Sequence, residues 1–204
     1  MTQADVDQAP TNGGDRAAAV VSEILAPVVL AYAVCVAVAI GTTPPLGRGL
    51  VVGIVVATFA AGLPYILVLW GSRRGDLSGR HVPDRRERPM ILGLAAASAV
   101  AALPAAWLLQ ADRAVIALMA ATTTGLIVAA AISTVWKMSI HVAGAAGAVS
   151  ALALVYGPQL WVLSIVVVTL AWSRMRLGAH DAPQVIGGAA TGGLVTVVVM
   201  MALM

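Results

Sequence analysis

Residues 126–157 have the sequence LIVAAAISTVWKMSIHVAGAAGAVSALALVYG, two apolar runs that meet at a short polar junction. The junction contains Lys137, Ser139 and His141. A helix needs about 20 apolar residues to cross a bilayer, so runs of this kind are typical of membrane spans. Because an open sheet edge cannot be satisfied in lipid, both runs are predicted to be helices.

The composition of the whole chain indicates a membrane protein. Of its 204 residues, 60% are hydrophobic and only 10% are charged, against roughly 25% charged residues in a soluble domain. The formal net charge of +3 comes from basic residues at the ends of apolar segments, so we expect no nucleic-acid binding. Cys35 is the single cysteine, and the three histidines match no zinc spacing. We therefore expect neither a metal nor another cofactor.

The pattern predicts one domain after a polar tail. Residues 1–17 are polar and acidic and are expected to be disordered. Residues 18–204 are expected to form a single all-α, polytopic transmembrane bundle. The apolar segments lie at about 18–41, 49–71, 90–110, 114–136, 141–157, 159–173 and 183–204. They predict seven spans, with six as the alternative because the fifth and sixth segments are short.

The connections between segments divide into two groups. On one side they are short, and on the other they carry most of the basic residues. The basic residues of that second side are Arg73, Arg74, Arg80, Arg85, Arg86, Arg88, Lys137, Arg174 and Arg176. Tryptophans end three of the helices there, as in an interfacial belt. The positive-inside rule therefore predicts a multi-pass protein of the plasma membrane with this face in the cytoplasm.

Small residues suggest where helices touch. Gly188 and Gly192 have the GxxxG spacing that lets helix backbones approach closely in lipid. Close packing is the interpretation we favour for them, and no chemistry is assigned to these glycines.

Three clusters on the basic face could carry chemistry. The first is the loop RHVPDRRERP at 80–89, whose arginines are mostly expected to be solvated. Arg88 differs because it precedes Pro89, which suits the first turn of a helix and lets the side chain turn inward. The second is the junction 137–141, where a helix N-terminus would suit a phosphate. There, Ser139 as a simple helix cap and His141 as an interfacial residue remain open alternatives.

The third cluster is SRMRLGAHD at 173–181, which again links two apolar segments. An ordinary basic turn is the alternative interpretation. Ionisable groups near membrane depth are nevertheless costly and usually functional. Since the helix count places all three clusters on one face, we expect them to form one phosphate-binding site.

The order and content of these clusters resemble the type 2 phosphatidic-acid phosphatase superfamily, over about residues 80–190. The matching positions are Arg88-Pro89, Ser139, His141, Ser173, Arg174 and His180. The departures are His81 for lysine, Met138 for proline, Ile140 for glycine and Gln184 for aspartate.

The resemblance implies a metal-independent mechanism in which His180 attacks phosphorus and forms a phosphohistidine. His141 would protonate the leaving alkoxide and then activate water. Arg88, Arg174 and Ser139 would bind the phosphoryl oxygens. Gln184 would orient the nucleophile in place of aspartate, without adding a negative charge. Lys137, or a protonated His81, could supply the cation that the departure at position 81 removes.

The expected function is thus hydrolysis of a phosphate monoester or diphosphate of a lipid, either a prenyl phosphate or a phosphatidate-like lipid. The expected partners are this substrate and the bilayer, and the oligomeric state stays open. A non-hydrolytic protein that binds or transports an anionic lipid is the alternative, because the orienting aspartate is missing. A prenyltransferase is disfavoured, since the nine acidic residues form no paired aspartate-rich motifs.

Overall fold

The structure, a computed structural model, describes residues 12–75 and 86–204, and every secondary-structure element within them is a helix. The α-helices are α1 Gly13–Ile24, α2 Pro27–Thr42, α3 Leu46–Ala57, α4 Leu63–Arg74, α5 Arg88–Leu108, α6 Arg113–Val135, α7 Ile140–Tyr156, α8 Ser164–Arg176 and α9 Ala182–Leu203. A π-helical turn, Thr58–Gly62, joins α3 to α4, and a 3₁₀ turn, Pro158–Leu163, leads into α8. The predicted all-α fold class is confirmed.

The seven predicted spans are not confirmed among the described residues. The helical stretches long and apolar enough to cross a bilayer, among the described residues, are Leu46–Arg74, Arg88–Leu108, Arg113–Val135, Pro158–Arg176 and Ala182–Leu203. Helices α1 and α2 form a sixth if they are one span bent by 44°. Helix α7 has only 17 residues, about 26 Å of helix against a hydrocarbon core of about 30 Å. Five or six spans are therefore supported, and seven are not confirmed.

The outside of the bundle is apolar, as a lipid-facing surface would be. Large side chains such as Leu50, Ile66, Ile127, Val168 and Met201 are exposed. Soluble monomers rarely expose apolar surface on this scale, and larger patches mark membrane or protein contact. The long apolar helices and this surface agree with an integral membrane protein.

The helices begin and end where the sequence supplies suitable residues. Pro89 and Pro183 lie in the first turns of α5 and α9, where no hydrogen bond is lost. The side chain of Asp112 caps α6 by accepting from the amide of Ala114 at 2.9 Å. Gly75 ends α4 with φ of 80°, a left-handed conformation that glycine adopts without steric cost.

Part of the segment predicted to be a disordered tail is helical. Residues 13–17 belong to α1, and Asn12 caps that helix by accepting from the amide of Asp15 at 3.0 Å. Helix α1 packs on α8, with Ala18 and Ser22 buried and Asp15 bonded to Arg176 at 2.9 Å. These contacts order a segment whose composition predicts disorder. Residues 1–11 lie outside the described residues.

Helices α7 and α9 pack side by side and in parallel. A Cβ on Gly188 would lie 2.5 Å from the carbonyl oxygen of Ser139, and one on Gly192 would overlap the carbonyl of Ala143. One turn further along, Gly147 faces Thr196. Because residue numbers rise together along both helices, their N-termini lie at the same end of the bundle. The glycines at 188 and 192 thus have the close-packing role that their spacing predicts.

We expect Gly192→Ala to destabilise the bundle, because the added methyl group would overlap the backbone of α7. Overpacking of this kind costs about 1–3 kcal/mol. Gly144→Ala is the matched control on α7, since nothing lies within 4 Å of its added Cβ and alanine favours a helix. Thermal unfolding in detergent should show a lower Tm for Gly192→Ala only. Equal melting temperatures for the two variants would contradict the packing described above.

Candidate active site

Three chain segments far apart in sequence meet at one end of the bundle, which we call the site end. It consists of the first turn of α5, the α6–α7 junction and the α8–α9 junction. Nη1 of Arg88 donates to the carbonyl oxygen of Met138 at 3.2 Å. The amide of Ser139 donates to the carbonyl oxygen of Gln184 at 3.1 Å. The described end of the first cluster, at Arg88, therefore lies together with the second and third clusters.

The opposite end is formed by the α2–α3 and α5–α6 turns. There, the amide of Asp112 donates to Oγ1 of Thr43 at 3.0 Å, and Arg48 donates to Gln110 at 3.3 Å. Arg48 and Arg113 are exposed at this end. Because they lie far from the site end, these two arginines can serve as control positions when the arginines of the site end are substituted.

Two arginines of the site end are buried inside the bundle. Arg88 is only 6% exposed, and Arg174, in the last turn of α8, is 9% exposed. Nη1 of Arg174 donates to Oγ of Ser22 at 2.7 Å, while its Nε has no hydrogen-bond partner among the described residues. Arg88 and Arg174 lie near enough to repel one another. Charged side chains at such depth are costly and usually serve a function.

Lys137 brings a third cation to the same place. It is half-buried in the α6–α7 junction. Burial lowers the pKa of Lys137, the charges of Arg88 and Arg174 lower it further, and Asp181 raises it. The three cations thus form one cluster whose positive charges repel one another.

His180 lies within that cluster and is 8% exposed. Its Nδ1 is 2.8 Å from Oε1 of Gln184. Burial lowers the pKa of His180 to about 4, the hydrogen bond to Gln184 acts in the opposite direction, and Arg174, Arg88 and Lys137 lower it further. The imidazole is therefore neutral at pH 7.

Asp181 holds the partner of that histidine. As the N-cap of α9, its Oδ1 accepts from the amide of Gln184 at 2.9 Å. Its Oδ2 accepts from Nε2 of Gln184 at 3.1 Å. The side-chain amide of Gln184 is thus held at both ends, by the carboxylate on one side and by the imidazole on the other.

Ser139 and His141 begin helix α7 at the site end. Ser139 is fully buried, and its Oγ has no hydrogen-bond partner among the residues that the structure describes. It occupies the N-cap position, yet its side chain makes no capping bond. Ser139 is therefore the N-cap residue by position, but its hydroxyl does not cap the helix. His141 lies in the first turn of α7 and is half-buried.

Some of the predicted site lies beyond what the structure describes. His81 and most of the loop 80–89 fall outside the described residues. Within the described ranges, no group of three or more histidine, cysteine, aspartate or glutamate side chains could hold a metal ion.

Two contributions to the site were missed in the sequence. Helix α1 supplies Ser22, which binds Arg174, and the carbonyl of Ala18, which accepts from Oγ of Ser173 at 2.6 Å. The spacing of Asp15, Ala18 and Ser22 places all three on one helix face, and this was the available signal. The second is Asp181, which lies in the third cluster but was assigned no role, although aspartate just before a proline-containing helix start is a typical N-cap signal.

Comparison with known proteins adds no assignment: no family model, no curated protein and no solved structure matches the chain. Its function has to be inferred from the chemistry of the site end. That site combines a neutral, oriented imidazole with buried cations and a buried hydroxyl at a helix N-terminus. Such a set favours binding of an anion beside the imidazole.

We expect His180 to titrate near pH 4 in the protein without a bound anion, because burial and three neighbouring cations disfavour the imidazolium. Because this value lies below the 6.5 of an unfolded chain, protonation favours unfolding. The free energy of unfolding should therefore fall as the pH decreases from about 6.5 to about 4. NMR of ¹⁵N-histidine-labelled protein, with His180→Gln for assignment, measures the pKa directly.

A matched pair of variants tests the electrostatic cause. Arg174→Gln should raise the pKa of His180, because it removes a cation that opposes protonation. Arg176→Gln, two residues away on an exposed side chain, should leave it unchanged. A wild-type pKa near 6.5, or equal effects of the two variants, would show that His180 does not lie in a cationic cluster.

Proposed function

We propose that the chain is an integral membrane lipid phosphatase, which hydrolyses a phosphate monoester or diphosphate of a lipid through a phosphohistidine at His180. The observation that carries this proposal is the buried imidazole of His180, which lies 2.8 Å from Gln184 and near Arg88, Arg174 and Lys137. A nucleophile must have a free lone pair, and a phosphoryl group must have its charge balanced. The resemblance of the motifs to the phosphatase superfamily points the same way.

The hydrogen bond with Gln184 determines which nitrogen is nucleophilic. A carbonyl oxygen only accepts, so Nδ1 of His180 donates to Oε1 of Gln184 and carries the proton. Nε2 then has a free lone pair. In the proposed reaction, Nε2 attacks phosphorus and the bond from phosphorus to the leaving oxygen breaks. His141, as imidazolium, gives its proton to the departing alkoxide.

The second half of the reaction restores the enzyme. Neutral His141 takes a proton from water as the water oxygen attacks phosphorus. The bond between phosphorus and Nε2 of His180 breaks, which releases inorganic phosphate and returns His180 to its neutral form. Both histidines therefore end the cycle in the protonation states in which they began.

The cations and Ser139 would stabilise the transition state. Charge in phosphoryl transfer spreads over the equatorial oxygens, so fixed donors around them supply most of the catalysis. Arg88 and Arg174 can each clamp oxygens through two N–H groups. The buried Oγ of Ser139 and the first amides of α7 lie at the helix N-terminus, where anions are favoured.

An apolar cavity supports a lipid as the substrate. A space of about 380 Å³ lies between α7, α8 and α9, with Ala146, Val149, Val167 and Val197 among its lining residues. Helices α7 and α9 both begin at the site end, and Ala146 is five residues beyond His141, about 8 Å along the helix. A lipid tail that runs from the site end along α7 would reach this cavity. A prenyl phosphate and a phosphatidate-like lipid both have such a tail.

The proposed location is the plasma membrane, with the site end facing the cytoplasm. Arg86 and Arg176 are exposed at the site end, and the positive-inside rule favours the cytoplasmic side for such residues. Labelling of single cysteines introduced at Arg176 and Arg113 by an impermeant maleimide in intact cells would test this. Reaction at Arg176→Cys rather than Arg113→Cys would contradict the orientation.

The proposed hydrolysis is tested with purified protein in nanodiscs. Phosphate release should be measured from phosphatidate, a prenyl phosphate and a prenyl diphosphate. We expect turnover of at least one of them, and its loss by 10³-fold or more in His180→Ala, on the order seen when a nucleophilic group is removed. Arg113→Ala, at the opposite end, should retain activity. Equal release by wild type and His180→Ala would refute the hydrolase and leave the anionic-lipid binding or transport protein.

Ser139→Ala separates catalysis from folding. Since Oγ of Ser139 has no partner among the described residues, its removal should not lower the Tm. A hydrogen bond to a charged group contributes about 1.5–3 kcal/mol, so kcat/KM should fall about 10- to 150-fold. Ser133→Ala is the matched control, because Ser133 is a buried serine whose Oγ also lacks a partner in the described residues. Activity equal to that of Ser133→Ala would exclude contact between Ser139 and the substrate.

A further inference from the structure

Position 184 is glutamine, whose side chain is neutral and can turn about its last bond. A glutamine beside His180 could present either its oxygen or its nitrogen to the imidazole. With the oxygen, Nδ1 of His180 must carry the proton. With the nitrogen, Nδ1 must accept, and the proton would move to Nε2. The orientation of one amide therefore decides whether Nε2 has a lone pair.

Asp181 removes that choice. Its Oδ2 is 3.1 Å from Nε2 of Gln184, and a carboxylate oxygen only accepts hydrogen bonds. If the amide turned over, Oε1 of Gln184 would face the carboxylate and two acceptors would repel. The nitrogen of the amide must therefore face Asp181, and the oxygen must face His180 at 2.8 Å.

Hydrogen bonds of the main chain hold Asp181 and Gln184 in these positions. Asp181 is the N-cap of α9, and its Oδ1 accepts from the amide of Gln184 at 2.9 Å. One carboxylate thus fixes both the main chain and the side chain of the same glutamine. The carbonyl oxygen of Gln184 in turn accepts from the amide of Ser139 at 3.1 Å, which ties this segment to α7.

We propose that Asp181 is a positioning residue, which acts through the side-chain amide of Gln184 to keep the proton of His180 on Nδ1 and the lone pair on Nε2. The carboxylate also polarises the amide, so that Oε1 of Gln184 carries more negative charge towards the imidazole. An exposed residue next to the histidine in sequence thereby does part of the work of a directly bound carboxylate. Its catalytic consequence rests on the proposed function, but the position of the proton does not.

The test exchanges donors and acceptors in the hydrogen bonds that join Asp181, Gln184 and His180. In Asp181→Asn, Oδ1 can still cap α9, but an NH₂ group replaces Oδ2 and faces the NH₂ of Gln184. Two donors repel, so the amide of Gln184 should turn and present its nitrogen to Nδ1 of His180. The proton should move to Nε2. We expect ¹⁵N NMR at pH 7 to show this exchange of tautomers for His180, assigned by comparison with His180→Gln.

The double variant Asp181→Asn with Gln184→Glu should reverse the change. The new NH₂ group at 181 donates to one oxygen of the glutamate, and the other oxygen accepts from Nδ1 of His180. We expect the proton to return to Nδ1.

The kcat of phosphate release should follow the position of the proton. It should fall on the order of 10²- to 10⁴-fold in Asp181→Asn, a range suggested by the wrong-tautomer variant of a serine-protease triad. It should rise at least tenfold again in the double variant.

The outcomes separate this proposal from the hydrolase itself. If Asp181→Asn leaves the proton on Nδ1, or if the double variant does not restore it there, the positioning role of Asp181 is refuted. If the tautomers follow the expected pattern but no form of the protein releases phosphate, the positioning role stands and the phosphatase is refuted. Equal melting temperatures of wild type and Asp181→Asn would show that the cap, and hence the fold, is retained.

Discussion

The site depends on the close approach of α7 and α9. Because Gly188 has no side chain, the carbonyl of Ser139 can lie against the backbone of α9. The amide of Ser139 then reaches the carbonyl of Gln184 at 3.1 Å. In lipid, helices are held together by packing of this kind and gain little from hydrophobic burial. The contact places the hydroxyl of Ser139 beside the turn that carries His180, so a substitution that separates the helices would also separate the parts of the site.

This packing brings three cations close to His180. Arg88, Arg174 and Lys137 act on one another and on His180 across a region of low solvent exposure. Such an arrangement is costly, since like charges repel more strongly where water is scarce. A bound phosphoryl group would relieve the repulsion and gain hydrogen bonds from the guanidinium groups. In the proposed reaction, the repulsion among these cations would favour an anion, most of all at the transition state, where charge on the oxygens is greatest.

Apolar length was sufficient to predict the helices, because it is a local property of the sequence. The grouping of the three clusters was predicted from a count of seven spans that is not confirmed, although the described parts of the clusters do lie together. The sequence was less informative where the outcome depends on side-chain direction. Neighbouring residues along a helix point in different directions, so no role at His180 was predicted for Asp181. Asp181 in fact precedes the helix, so its side chain turns back over the first turn to Gln184. Ser22 was missed because its partner Arg174 is 152 residues away and no motif connects them.

Glutamine at position 184 affects His180 in two ways: it orients the imidazole, and it stabilises the imidazolium less than an aspartate would. A carboxylate bonded directly to His180 would stabilise the imidazolium and raise the pKa of the imidazole. An uncharged amide orients the ring with less of that stabilisation, and the surrounding cations keep the pKa of His180 near 4. In almost all molecules Nε2 then has a free lone pair at neutral pH, although in the proposed reaction the positive charge that develops on the ring would be less well stabilised. The carboxylate of Asp181 is exposed at the helix cap and therefore has no cost of burial. It acts on the imidazole of His180 through the side-chain amide of Gln184.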